Sequence, residues 1–149
     1  MARGFYSVVS KAQTVSTAIT ILEITAASTN TLKIIRAWVN QSSITTSAQV
    51  NIQLLRKSGT VTSAASAPSA LALDASASSG VTVKWKATAE GTDGNVLIDE
   101  GFNVLNGWLY LPVPEERIIV PPSGIIALKF IAAPTSATYN WGMVWEEIG

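Results

Sequence analysis

The sequence predicts an all-β domain, a sandwich, jelly roll or small barrel, on three observations. Apolar and polar residues alternate with period two, β-branched residues crowd those runs, and turn-forming clusters separate them at short spacing. No segment carries an apolar helical stripe with caps. A chain of 149 residues fits one domain, 1–149. At this size about two-thirds of the unfolded surface is buried, enough for a core without covalent staples.

The elements follow in order. Phe5 to Val9 is apolar but interrupted by Ser7, too brief for a signal-peptide core. Thr17 to Thr25 sets Ile19 and Ile21 against Thr20 and Leu22. Thr31 to Val39 places Leu32, Ile34 and Trp38 on one face, with Arg36 interrupting it, and Ile35, Ala37 and Val39 on the other. Val50, Ile52 and Leu54 point inward from the run that ends at Lys57. Val81, Val83 and Trp85 alternate with Thr82, Lys84 and Lys86, the clearest half-buried pattern in the chain. Val96 to Ile98, Trp108 to Val113, Arg117 to Val120, Ile125 to Ile131 and Thr138 to Glu146 complete the candidate strands. Gly91 to Asn95 and Pro121 to Gly124 read as turns. Pro112 and Pro114 mark a strand end or an edge, where a missing N–H is tolerated.

Residues 58–79 differ: they are almost wholly Ser, Ala, Thr, Gly and Pro. The pieces on either side are too small for two separate cores, so the segment reads as a long surface loop or arm within one domain. A loop of roughly 20 residues generally has a use. Val61, Leu71, Leu73 and Asp74 are its exceptions, and Leu71 and Leu73 are candidate anchors on a neighbouring chain.

Composition narrows function. There is no cysteine and no histidine, which removes thiol nucleophiles, Fe–S and cysteine–zinc sites and every Ser-His-Asp arrangement. Ten basic residues balance ten acidic ones, an argument against nucleic acid as partner. No run approaches the roughly 18 apolar residues of a membrane helix, so no membrane role is expected. Only 13% of residues are charged, against about 25% in an ordinary soluble domain. Such a chain is expected to place apolar surface in contacts with other chains. Residues 1–57 hold six Lys and Arg against Glu23, while 90–149 hold two against eight Asp and Glu. Either these halves pair within one fold or copies meet head to tail.

No motif for catalysis or cofactor binding emerges. The glycines never form G-x-G-x-x-G, and no lysine has serine three residues before it. Adjacent Asp99 and Glu100 point to opposite faces of a strand and cannot flank one bond. Glu115 and Glu116 read as an exposed turn with a local ion pair. The run from Glu90 to Asn95 offers oxygen ligands but lacks EF-hand spacing, so a plain turn is favoured over a calcium loop. Of the five tryptophans, Trp38 and Trp85 read as core. Trp141 and Trp145 share one face of the last strand, as Trp108 and Tyr110 share a face of theirs. These four read as core or subunit interface, with a carbohydrate platform as the competing use.

The run from Phe102 to Trp108, the run from Pro114 to Gly124 and the ending Val144 to Gly149 resemble small virion proteins of tailed bacteriophages, of the head-decoration or cement type. Leu32 to Trp38 and the strand end Leu54 to Lys57 are similar in style. The resemblance implies an all-β, jelly-roll-like fold, commonly trimeric, on the outer surface of the capsid. Its partners would be the major capsid protein and further copies of itself, with another virion part, a head fibre, tail or baseplate subunit, as the alternative role. It implies neither cofactor nor enzymatic activity, synthesis in the host cytoplasm and a final place in the virion.

Overall fold

The computed structural model describes residues 4–43, 47–74 and 77–149. It contains two antiparallel sheets packed face to face as a β-sandwich. One sheet orders its strands β5 (Leu71–Ala72), β1 (Gly4–Val15), β11 (Ala137–Ile148), β3 (Thr31–Gln41) and β8 (Trp108–Tyr110), with β9 (Ile119–Val120) also on β3. The other runs β6 (Thr82–Trp85), β2 (Thr20–Thr25), β10 (Ile125–Phe130), β4 (Gln49–Lys57) and β7 (Asp93–Asn103). Thus β1 pairs with β11, β2 with β10, β3 with β8 and β9, and β4 with β7. That nesting of first with last and second with next-to-last is the jelly-roll arrangement. The pieces β5 and β6 come from the segment between β4 and β7 and add to the same side of the sandwich, one to each sheet. Among the described residues no helix is long and apolar enough to cross a membrane.

The core lies between the sheets. Tyr6 and Val8 from β1, Leu32 and Ile34 from β3, and Tyr139, Trp141, Met143 and Trp145 from β11 meet Leu22, Ile52, Leu54, Leu128 and Phe130 from the second sheet. Tyr6 stacks on Trp145 with ring centroids 6.3 Å apart, and Phe130 meets Tyr139 at 5.5 Å. Period two places every second residue of β11 inward. It also sets Trp141 and Trp145 on the core side, fully buried.

Three expectations need correction. Strand β1 covers Gly4–Val15, where only a short apolar stretch stands out in the sequence. Its outward residues Phe5 and Val9 are as apolar as its inward ones, which erases the alternation. Strand β7 begins at Asp93, inside a run that reads as a turn. Irregular register opposite Leu55 and Lys57 lets Asp93 pair with Lys57, and Gly94 sits where a Cβ would lie 2.9 Å from the Arg56 carbonyl oxygen. In β3 the ladder skips Ile35: Val144 pairs with Arg36 and Trp145 with Ile34. This bulge resets the alternation, so Ala37 and Val39 are buried and Trp38 turns to the outer face. The interruption at Arg36 is therefore the bulge seen from the sequence.

The described part of 58–79 is held against both sheets. Val61 is buried and its amide bonds the Glu23 carboxylate, to which the Thr60 hydroxyl also donates. Ala64 donates to the Trp85 carbonyl, and β5 pairs with Tyr6 and Ser7 of β1. At its far end the Ser79 hydroxyl and the Gly80 amide donate to buried Glu147. Residues 75 and 76 lie outside the described residues.

Candidate functional site: the outer face of the β1–β11–β3 sheet

The two sheets treat their outer faces differently. Over the second sheet, Thr60 and Val61 cover Glu23, and Leu55, Ala127 and Lys57 are buried although they point away from the core. The first sheet keeps its outer face open.

That face can be read strand by strand. On β1 the outward residues are Phe5, Ser7 and Val9, paired with Glu146, Val144 and Gly142 of β11. Those three pair in turn with Lys33, Arg36 and Trp38 of β3, and the latter strand passes the face on to Ile119 and Leu109. Beyond β1, Leu71 pairs with Ser7 and Leu73 donates its amide to the Phe5 carbonyl. Leu109, Ile119, Val9 and Phe5 are 57%, 44%, 41% and 43% exposed. An antiparallel sheet with one solvated face ordinarily alternates apolar inward with polar outward. Here apolar residues stand on both faces.

Trp38 forms the middle of this surface. A Cβ on Gly142 would lie 2.3 Å from Trp38 Cζ2, so the indole rests directly on the bare glycine of the neighbouring strand. The Arg36 guanidinium lies 4.5 Å from the indole centroid, a cation–π contact. Lys33 and Glu146 add an ion pair at 3.7 Å. The tryptophan is thereby fixed as a flat, half-exposed platform between Val9 and Leu109.

The six residues singled out in the sequence divide sharply. Leu71 and Leu73 lie on the open face, 66% and 60% exposed. Trp141 and Trp145 do not: both are wholly inside the sandwich and present nothing to a partner. Trp108 is buried too, donating its indole N–H to Glu100 at 2.6 Å, while Tyr110 is half-buried with its hydroxyl toward the Glu116 carbonyl oxygen. Alternation correctly grouped these aromatics on shared faces, but those faces are the core. The residues that make the open face, Phe5, Val9, Trp38, Leu109 and Ile119, carry a weaker signal: apolar side chains at the outward positions of strands whose inward positions are apolar as well.

The ionisable groups are engaged in holding the fold. Lys57, its side chain fully buried, bonds Asp93 at 2.7 Å and Glu90 at 3.2 Å, and Lys129 bonds Asp93 at 2.7 Å. Burial pushes the Glu90 carboxyl upward, but bonds from the Thr20 hydroxyl and amide and from Lys57 outweigh it and leave the pKa lowered. Asp93 is lowered in the same way, with Lys129 and Lys57 outweighing burial. The two carboxylates of the expected turn thus face lysines, and among the described residues no group of three or more Asp or Glu gathers to hold a metal ion. The pairs Lys33–Glu146, Lys57–Glu90 and Lys57–Asp93 also join the basic first part of the chain to the acidic last part within one fold. Asp99 and Glu100 do point apart, one accepting from Gln53 and the other from Trp108. Glu115 and Glu116 sit in an exposed 3₁₀ turn, and neither they nor Arg117 form an ion pair among the described residues.

Fold and surface together define a jelly-roll β-sandwich with one outer sheet face partly covered by its own chain, around Glu23, and the other left apolar and open. No protein-family model, curated protein or solved structure matches the chain.

Proposed function

We propose that this chain is a virion structural protein, a decoration or cement protein that binds the outer surface of a tailed-phage capsid and stabilises it. The observation that carries the reading is the open apolar face on a rigid jelly roll. It suits a protein whose work is association. The resemblance of residues 102–124 to head-decoration proteins names the assembly, and the major capsid protein is then the principal partner. A protein that binds the closed shell and not its separated subunits stabilises the shell by mass action. Repetition over a symmetric lattice turns modest single contacts into high avidity. The carbohydrate reading loses Trp108, Trp141 and Trp145, which lie in the core, and keeps only the half-exposed Trp38 and Tyr110.

The test is mass spectrometry and imaging of purified heads stripped of accessory proteins, before and after adding this chain. Attachment at regular lattice positions is expected. Heads that remain bare overturn the proposal.

A further inference from the structure

We infer that the outer face of the β1–β11–β3 sheet joins two copies of this chain, face to face about a two-fold axis. This departs from the threefold assembly that the family resemblance implies; the dimer is the state of the free chain, in which the face that carries the capsid reading is closed, so it does not depend on capsid binding.

Three observations carry it. The first is distribution. Of the 13 large hydrophobic residues that stand exposed among the described residues, Phe5, Val9, Leu71, Leu109, Ile119 and Ile148 occupy outward positions on this one sheet, and Leu73 extends the same edge. Val9, Gly142, Trp38 and Leu109 make one unbroken apolar row, with Phe5 and Ile119 on either side of the Lys33–Glu146 pair, and exposed apolar surface gathered in this way marks an interaction site. The second is size. Strands β1 and β11 have 12 residues and β3 has 11. At about 3.3 Å per residue and 4.8 Å between strands, these three strands give roughly 550 Å², and the short β5, β8 and β9 bring the face to roughly 650 Å², the low end of what each partner buries in a stable interface. The third is charge. Lys33, Arg36 and Glu146 are the charged residues among the paired outward positions, and they carry both signs, two of them already in an ion pair. Lys11, exposed in the irregular part of β1 beyond Val9, adds one further cation at the rim. Two such faces therefore meet with both signs present at the centre and positive charge confined to Arg36 and the rim.

A second copy fits this surface physically. A sheet face packs best on another twisted sheet face, about 10 Å away, as the two sheets of the sandwich already do. An isologous contact needs only one patch that complements itself. At its middle lies Trp38, held flat by Gly142 below and Arg36 beside it. Tryptophan and arginine are the residue types most enriched among interface hot spots, and a prefixed ring loses little freedom on binding.

The test uses the full-length purified chain without any capsid. Light scattering coupled to size-exclusion chromatography is run over a micromolar dilution series on wild type, Val9→Lys, Leu109→Lys and the off-face control Leu105→Lys. Leu105 is 55% exposed, as open as Leu109. The expected result is a dimer for wild type and control, with the dissociation constant raised about tenfold or more in the two face variants. Circular dichroism and the melting midpoint verify that each variant is folded. Val9 and Leu109 lie on different strands, so one misfolded variant leaves the other to decide. A wild type that is monomeric or trimeric, or a folded face variant that dimerises as wild type does, overturns the inference.

Discussion

Adding a single methyl group at Gly142 is expected to destabilise the protein out of proportion to its size. The new Cβ would lie 2.3 and 2.5 Å from two ring atoms of Trp38 and 2.6 Å from the Val8 carbonyl oxygen. Ordinary carbon contacts are about 3.5–4.0 Å. The ring can relieve its overlap only by lifting off the strand, away from the cation–π contact with Arg36. The carbonyl belongs to β1, whose Val9 pairs with Gly142, so relieving that overlap spreads the ladder at the middle of the sheet. Overpacking costs about 1–3 kcal/mol, and two rigid obstacles place Gly142→Ala in the upper half of that range. For a chain of this size each kcal/mol lowers Tm by about 2–4 °C. Urea unfolding followed by tryptophan fluorescence measures the loss as a shift in midpoint at constant slope. The origin is checked with Trp38→Ala: in that background the same glycine substitution is expected to cost about 1 kcal/mol less, because the ring is gone and only the carbonyl remains. A Gly142→Ala protein within about 0.5 kcal/mol of wild type would refute the reasoning. Equal penalties in both backgrounds would show that the ring does not rest on Gly142.

Other substitutions probe other parts of the architecture. Trp145→Ala, which empties the fully buried site beside Tyr6, is expected to cost about 3–5 kcal/mol by chemical denaturation; a loss under about 1 kcal/mol would place that side chain outside the core. Glu147→Leu removes the acceptor of the Ser79 hydroxyl, the Gly80 amide, the Trp145 indole N–H and one Asn30 amide bond, and is expected to cost about 2 kcal/mol or more, with faster amide exchange at Gly80. Unchanged exchange there would mean that the carboxylate does not tie down the end of the strap. The lowered pKa values of Glu90 and Asp93 fix the sign of an acid effect. A carboxyl whose folded pKa is depressed contributes stability above its unfolded pKa and loses it as pH falls through the folded one. Tm is therefore expected to drop below the ordinary carboxylate range. That drop should shrink in Lys57→Met, which removes the buried cation common to both; an identical acid limb in wild type and variant would contradict this assignment.

Much of the fold is legible in the sequence, and the exceptions share physical causes. The strict alternation from Val81 to Lys86 announces a half-buried strand, and β6, which the structure sets at the edge of the second sheet, is that strand. Strand β1 hides because Phe5 and Val9 on its outer side match the polarity of Tyr6 and Val8 on its inner side. The same property makes the open face, so the surface most relevant to function is the one that period-two reading blurs. Trp38 illustrates a second cause. A bulge at Ile35 moves it from the expected core side to the outside, and register slips are invisible without the partner strand. Asp93 illustrates a third: Asp-Gly-Asn has strong local turn chemistry, overridden here by a buried lysine on β4. The pairing of Trp141 with Trp145 is correct from spacing alone, but spacing cannot say whether a shared face looks toward the core or toward a partner.

The central claim, that this jelly roll works by attaching to a shell, is tested most directly by co-sedimentation. Shells assembled from the major capsid protein alone are pelleted with increasing amounts of the purified chain. The account expects saturable pelleting at a fixed ratio of chain to capsid subunit, with no pelleting on unassembled subunits. A chain that stays in the supernatant at every concentration would contradict it.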